Sequence, residues 1–264
     1  MIRPTILFVA ATTVHSILAW GLAMPAFAEG CPKPTDEIAT DRPDITNSSI
    51  VVPKGSLQFE NGINFTTPDR SRVLDGTNTR IRLGVAPCLE ILVDVPTYFA
   101  TLGGRAPSGF TNVTPAVKWQ ISPMPGKIDL SVVTGVGLPT GTKDLVGPGP
   151  QPYLQFPWSW ELSGGWSVSG MQTLFFHPSD PVSKLASQST FVLEKKVDEK
   201  VSLFIEWVGD FPDGESVSHL LNSGGTYRLS KVEQIDFHIG TGLNPAAPAF
   251  VFGLGYSYRF DRLF

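Results

Sequence analysis

The sequence predicts an all-β fold: a transmembrane, antiparallel, up-and-down β-barrel of about 12 strands, of the outer-membrane type. Apolar and polar residues alternate along recurring segments of about ten residues, as in strands with one face towards lipid and one towards a lumen. Long and short connections alternate between these segments, and the chain ends in an amphipathic, aromatic strand. A soluble β-sandwich is the alternative, with the aromatic face in its core. A sandwich has no reason to keep the alternation of connection lengths.

Residues 1–28 have the pattern of a secretory signal peptide. Arg3 is their only charge, an apolar stretch covers residues 6–23, and Ala26, Phe27 and Ala28 form a small-residue cleavage site. A transmembrane anchor is the alternative, and the polar residues between positions 12 and 16 disfavour it. Removal of this segment takes Lys+Arg from 20 to 19 against 24 Asp+Glu, a net charge of −5, which argues against a nucleic-acid partner.

After residue 28 there is no apolar stretch of about 18 residues, so strands must make any membrane crossing. The 26 Gly, 23 Pro and 11% aromatic residues fit a β protein with many turns. Residues 29–56 are Pro-rich and irregular, and we expect them in the periplasm or in the barrel lumen. Residues 57–264 form the predicted barrel.

Segments with a period of two residues define the predicted strands: 57–67, 78–86, 89–100, 111–121, 127–138, 151–161, 164–176, 188–197, 200–209, 217–229, 232–242 and 250–260. The segments at 111–121 and 188–197 alternate least regularly. The long connections are 68–77, 101–110, 139–150, 177–187, 210–216 and 243–249, and the short ones are 87–88, 122–126, 162–163, 198–199 and 230–231. Because outer-membrane barrels have short periplasmic turns and long external loops, we expect both termini in the periplasm.

The last strand predicts how the chain enters the membrane. Tyr256, Tyr258 and Phe260 share its aromatic face, and the terminal Phe264 lies in the same phase. This arrangement is similar to the C-terminal signal that bacterial barrel proteins present to the barrel insertion machinery. That machinery and outer-membrane lipid are therefore the expected partners. Arg262 departs from the pattern, because the signal usually has an apolar residue at that position.

Cys31 and Cys88 are predicted to form a disulfide, because two cysteines in an oxidising periplasm usually pair. The topology supports the pairing independently. Cys31 lies in the N-terminal segment and Cys88 in the first short turn, so both are expected at the periplasmic end, where the bond ties the segment to the rim of the barrel. Two free thiols are the alternative.

Charged strand residues indicate the inner face, because Arg or Lys facing lipid at the midplane costs about 2–4 kcal/mol. A barrel of about 12 strands has a narrow lumen, which residues 29–54 narrow further if they enter it. The predicted lining residues are Glu60, Arg80, Arg82, Glu90, Asp94, Glu206, Asp236, His238 and Arg259. For each one, the alternative is an ion pair that braces the wall. Their mixed signs predict no strong ion selectivity.

We predict no catalytic residue, metal site or cofactor. The histidines after residue 28 belong to no Cys, His and carboxylate cluster with metal-ligand spacing. A barrel lipid hydrolase that uses His219 with Ser218 or Ser223 is the enzymatic alternative. Residues so close along a strand seldom reach nucleophile–base geometry without cross-strand partners.

Short motifs carry a resemblance that covers nearly the whole chain after residue 28. They are residues 40–44, 52–55, 58–62, 138–141, 204–207, 224–229, 234–236 and 256–260. In this order and spacing they resemble an outer-membrane protein family named for the meta-cleavage pathway of phenol degradation. The resemblance implies a β-barrel transporter that admits hydrophobic or aromatic compounds, and it implies no catalytic residues.

We therefore expect a channel or transporter that passes a small-molecule solute, hydrophobic or aromatic, through a narrow lumen in the bacterial outer membrane. A non-conducting barrel with a structural or partner-binding role is the alternative. The sequence specifies no oligomeric state.

Overall fold

The computed structural model describes residue 31 and residues 34–68, 71–121, 128–177 and 185–264. The predicted signal peptide, residues 1–28, lies outside this part of the chain. Within the described residues, no helix is both long enough and apolar enough to cross a membrane.

The described chain is a succession of antiparallel β-strands. They are β1 (Leu57–Thr66), β2 (Arg72–Ala86), β3 (Leu89–Asp94), β4 (Tyr98–Gly103), β5 (Gly109–Phe110), β6 (Thr114–Gln120), β7 (Ile128–Gly137), β8 (Gln151–Glu161), β9 (Trp166–Phe176), β10 (Leu185–Lys196), β11 (Val201–Pro212), β12 (Ser218–Ser230), β13 (Glu233–Gly242) and β14 (Val251–Phe260). A one-turn helix, α1 (Lys143–Val146), lies between β7 and β8. A 3-10 turn at Ser163–Gly165 joins β8 to β9.

The sheet closes into a barrel because β1 pairs with both β14 and β2. β3 pairs with the second half of β2 and β4 with its first half, so β3 and β4 are two parts of one barrel strand. β5 and β6 are likewise two parts of the next one. Fourteen strands with two such divisions give a closed barrel of 12 strand positions. The predicted fold class is therefore confirmed.

The strands differ from the predicted segments mainly at the end of the barrel where β1 ends and β2 begins. We call this end the long-loop rim. β2 begins at Arg72, inside the predicted loop 68–77, and β10 begins at Leu185. The predicted strand 89–100 is interrupted at residues 95–97, where Pro96 has no N–H to give to the ladder. The first long connection is therefore shorter than predicted, and loop lengths alternate less regularly.

The outer face is apolar and carries aromatic rings towards both rims. Ile205 and Phe237, in the middle of β11 and β13, are each 46% exposed. Exposed rings lie near the long-loop rim (Tyr98, Phe110, Phe176, Phe211 and Phe250) and near the opposite, short-turn rim (Trp119, Trp160, Trp166, Tyr227 and Phe260). Aromatic girdles of this kind lie at the two interfaces of a membrane.

Residues 34–56, which we call the plug segment, run through the lumen. The backbone N–H of Asp41 donates to Glu60 on β1 at 2.9 Å. The N–H of Thr46 donates to Glu206 on β11 at 2.9 Å, four strands from β1 around the barrel. The segment therefore crosses the lumen and then returns to the short-turn rim, where β1 begins.

Both ends of the described chain are held at the short-turn rim. Cys31 and Cys88 form a disulfide with a Cα–Cα distance of 5.5 Å, and Cys88 lies in the turn between β2 and β3. At the other end, the Leu263 N–H donates to the Gly55 carbonyl at 2.8 Å. β14 ends at Phe260, and Arg262 adopts a φ of 61°, which turns the chain. Phe264 consequently lies beyond the strand and not in phase with its aromatic face.

Candidate functional site: the plugged lumen

A cluster of buried charges fixes the plug segment to one side of the wall. Lys118 on β6 approaches the Asp41 carboxylate to 2.9 Å. Arg82 on β2 bridges Glu60 and Glu90, on β1 and β3, at 2.9 and 3.0 Å. Charges taken out of water are costly unless they are paired, and each of these five has an opposite charge within 3.0 Å. We call these five residues the anchor cluster.

The wall part of the anchor cluster is balanced without the plug segment. Arg82 and Lys118 are positive and Glu60 and Glu90 are negative, with Lys118 also 3.2 Å from Glu90. Asp41 brings a further negative charge into this neutral set. The anchor-cluster part of the wall therefore does not need the plug segment to neutralise its charges, whereas the buried Asp236 on β13 has the plug residue Arg42 as its cation.

Arg80 extends the network towards the long-loop rim. It contacts Asp41 at 3.0 Å and Asp94 at 2.6 Å. Its guanidinium also donates to the Asn47 side chain at 2.9 Å. The Asp41 carboxylate therefore contacts two wall cations, Arg80 of β2 and Lys118 of β6. It also accepts the Ser48 N–H at 2.9 Å. This last bond closes residues 41–48 into a loop, which we call the apex loop.

Glu206 holds the apex loop from the opposite wall. Its carboxylate accepts the N–H groups of Ile45 and Thr46 and the Thr46 hydroxyl, at 2.8–3.1 Å. Asn222 on β12 donates to the same carboxylate at 3.0 Å. These donors satisfy a buried carboxylate without a cation.

Arg42 is the apex-loop cation that faces β13 and β14. Its Nη2 lies 3.4 Å from Asp236 and 3.4 Å from the Leu254 carbonyl. These separations exceed the usual 2.7–3.2 Å of N–H···O hydrogen bonds. The Arg42 Nε and one Asp236 carboxylate oxygen are buried without a hydrogen-bond partner. Arg42 is consequently held less tightly than Asp41.

The nine predicted lining residues all lie on the inner face, but most of them hold the plug segment. Seven contact it directly: Glu60, Arg80, Arg82, Glu90, Glu206, Asp236 and Arg259. The other two contact wall residues. Asp94 pairs with Arg80, and His238 lies between Asn222 and Asn64 at 3.2 and 3.1 Å. Seven of the nine therefore have the ion-pair role considered beside solute contact, while Glu206 and His238 make hydrogen bonds without a charged partner.

Two cavities in the lumen lie on either side of the apex loop. The upper cavity, towards the long-loop rim, has a volume of about 610 Å³. The lower cavity, towards the short-turn rim, has a volume of about 320 Å³. Arg42, Pro43, Asp44 and Asn47 line both cavities. These four apex-loop residues are therefore the partition between them.

The two cavities differ in chemistry. The upper one combines Phe99, Leu145 and Val146 with the carboxamides of Asn64 and Asn112. The lower one is lined by small hydroxyl side chains on the wall: Ser159, Ser167, Ser169, Ser202 and Thr226. Both cavities also have charged lining residues, such as Arg80 and Asp94 in the upper one and Glu194 and Lys196 in the lower one. A route through the barrel thus begins among apolar, amide and charged side chains and ends among hydroxyl and charged ones.

Sequence reasoning does not select Lys118 or Arg42, although both are central to the site. Lys118 lies between the exposed Val117 and Trp119 on β6, so strand parity alone places it on the inner face. Arg42 carries no such signal, because it lies outside the strands and its contact Asp236 is 194 residues away.

The residues of the hydrolase alternative do not form a nucleophile–base pair. The Ser223 hydroxyl donates to the Phe204 carbonyl at 2.9 Å. The His219 ring stacks on Trp207 with centroids 5.7 Å apart, and its Nδ1 has no hydrogen-bond partner. A hydrolase needs a serine within hydrogen-bond reach of the base, and this geometry does not supply one.

Solved structures confirm the fold. A NanC porin has a TM-score of 0.55 over 76% of this chain and 98% of that chain, with 7% identity. A KdgM porin has a TM-score of 0.51 over 78% of this chain and 99% of that chain, with 11% identity. At these identities the likeness concerns the barrel architecture alone. No curated protein matches the sequence.

A family profile matches residues 40–260, from the apex loop to the end of the last strand. The match spans most of the chain and includes the residues that form the anchor cluster. The chain belongs to the family described as "Putative MetA-pathway of phenol degradation".

Proposed function

We propose that this protein is an outer-membrane channel for a small solute and that its own plug segment closes it. The pair of cavities separated by the apex loop carries this proposal. One cavity lies towards each rim, and Arg42, Pro43, Asp44 and Asn47 of the apex loop line both of them. The wall charges of the anchor cluster balance without the plug segment, and this is also compatible with a plug that moves.

The proposed orientation has both termini in the periplasm. The short turns, the Cys31–Cys88 disulfide and the docked C-terminal residues share one rim. Outer-membrane barrels keep short turns on the periplasmic side, where disulfides form.

For the solute, we propose a small aromatic compound with a polar substituent. Phe99 and Val146 offer apolar contacts in the upper cavity, and the neighbouring amides offer hydrogen bonds. The phenol in the family description has this combination of ring and hydroxyl group. A purely aliphatic solute cannot form hydrogen bonds with the amides, and a sugar offers little apolar surface to Phe99 and Val146.

Calorimetric titration of the folded, detergent-solubilised protein tests the solute class. We expect saturable binding of phenol, weaker binding of cyclohexanol and none of glucose. Phe99→Ala is expected to weaken phenol binding, whereas Phe156→Ala, on the outer face, is expected to leave it unchanged. Equal binding of phenol and cyclohexanol, or no binding of either, contradicts the proposed solute.

The second candidate function is a non-conducting barrel with a structural role. The tight anchor cluster favours it, because a plug segment fixed by buried ion pairs is suited to permanent closure. Conductance measurements separate the two functions, since a permanent plug gives no current in the full-length protein under any condition.

A further inference from the structure

Arg42 lies in a slot that the barrel wall leaves open for it. Gly62 on β1 and Gly255 on β14 are directly opposite each other in the register of these strands. A Cβ added at Gly62 meets the Arg42 guanidinium, and one added at Gly255 meets Arg42 Nε and the Asp236 carboxylate equally closely, at 2.5 Å. Gly62 and Gly255 thus form a gap in the inner face, and the guanidinium occupies it beside the Asp236 carboxylate.

The slot and the partition involve the same residue. Arg42 lines both cavities and also fills the gap between Gly62 and Gly255. When Arg42 leaves the slot, the wall at that height has no side chain at two adjacent inner positions. The space that Arg42 vacates lies along β1 and β14, beside the Asp236 carboxylate.

The contacts of the apex loop are unequal. Asp41 and Ser48, at its base, are held by Lys118, with distances of 2.9 and 3.0 Å to the carboxylate and the Ser48 carbonyl. The separation between Arg42 and Asp236 is 3.4 Å, which is longer than a usual hydrogen bond. Each of the two residues also has a buried polar atom without a hydrogen-bond partner. A displacement of Arg42, Pro43 and Asp44 therefore breaks weak contacts and leaves the base in place.

We propose that Arg42 is the latch of the channel: its withdrawal from the Gly62–Gly255 slot joins the two cavities while the anchor cluster keeps the rest of the plug segment docked. This inference rests on the proposed channel function. In this mechanism, opening depends on the position of the Arg42 side chain relative to Gly62 and Gly255. The plug segment does not have to leave the barrel.

Single-channel recording in planar bilayers tests the latch in the full-length chain. Arg42→Gln removes the charge that pairs with Asp236, and Gly255→Ala fills the slot without changing any charge. Each is expected to raise the ratio of open to closed time about tenfold, the effect of losing one hydrogen bond to a charged group. The double variant is expected to match the single ones, because both changes act on the same contact.

Gly137→Ala is the matched control. It adds a methyl group to the inner wall at ordinary van der Waals distance from Asn112 and Gln151, away from Arg42. It is expected to record like the wild type. Heat-dependent gel mobility identifies the folded barrel in every sample. If Gly255→Ala does not fold, Arg42→Gln alone tests the latch, because it leaves the wall unchanged.

A chain without residues 34–54 separates the failure of the latch from the failure of the channel. If this chain conducts while folded Arg42→Gln stays closed like the wild type, the latch is wrong and the channel stands. If the folded deletion chain does not conduct, both proposals are overturned. Opening in Arg42→Gln and Gly255→Ala but not in Gly137→Ala supports the latch.

Discussion

Lys118 Nζ lies 2.9 Å from the Asp41 carboxylate, and both side chains are buried in the lumen. This pair joins a strand of the wall to the base of the apex loop. The plug segment is therefore docked by a specific charge contact in addition to the covalent tether at Cys31.

Asp41→Asn is expected to release the apex loop while the barrel stays folded. The wall charges of the anchor cluster remain balanced, so the change removes docking contacts of about 1.5–3 kcal/mol for hydrogen bonds to charged groups. Amide hydrogen exchange over residues 41–48 is expected to be faster in the variant reconstituted in vesicles than in the wild type, because the Ser48 N–H donates to the Asp41 carboxylate. Asp94→Asn is the control, since Asp94 pairs with Arg80 but does not touch the plug segment. Equal protection of all three proteins would falsify the docking role.

Loss of the Cys31–Cys88 disulfide is expected to loosen the start of the plug segment. The bond closes a sequence separation of 57 residues, and such a cross-link stabilises by about 2–4 kcal/mol. The midpoint of urea unfolding is expected to fall in Cys31→Ser, and dithiothreitol is expected to lower it in the wild type only. A midpoint unchanged by either treatment shows that the bond has no part in stability.

The docked C-terminal residues predict a pH dependence. Burial raises the pKa of Asp261, but hydrogen bonds from Arg259 and Ser56 outweigh it, so the pKa of Asp261 lies below its ordinary value. A lowered pKa in the folded state stabilises at higher pH, and this stabilisation is lost as the pH falls through the folded-state value. The free energy of unfolding of Asp261→Asn is therefore expected to lie below that of the wild type above about pH 4. The two are expected to converge in stronger acid, and a gap that persists there contradicts the assignment.

A charge on the outer face is expected to destabilise the barrel. Phe237 is in the middle of β13 and faces outward, and arginine at the membrane midplane costs about 2–4 kcal/mol. Phe237→Arg is expected to lower the free energy of unfolding in lipid vesicles by about this amount. Thr226→Arg, which faces the lower cavity, is the control and is expected to cost less. A larger loss in Thr226→Arg means that the two faces are assigned the wrong way round.

Much of the fold follows from the sequence because strand parity is a local property. In β13, Ile235, Phe237 and Ile239 alternate with inward residues, and the structure exposes all three. The early start of β2 at Arg72 does not follow, because Asp75 and Gly76 read as loop residues. Their pairing with Asn64 and Ile63 on β1 depends on the closed register of the barrel.

The candidate site is less accessible to sequence reasoning. The inner-face charges of the strands follow from the cost of exposing them to lipid, as Arg82 and Glu206 show. The plug residues that contact these charges cannot be predicted in the same way, because the plug segment has no periodicity. Its contacts also span long sequence separations, such as 161 residues between Ile45 and Glu206. The slot is invisible for the same reason, since Gly62 and Gly255 become neighbours only when β1 pairs with β14.

Conductance across planar bilayers, compared between the full-length chain and a chain without residues 34–54, tests the central claim most directly. Both samples must first show the heat-dependent gel mobility of a folded barrel. A plugged channel predicts brief, rare openings in the full-length chain and long, reproducible steps in the deletion chain. A folded deletion chain that is as silent as the full-length chain contradicts the claim.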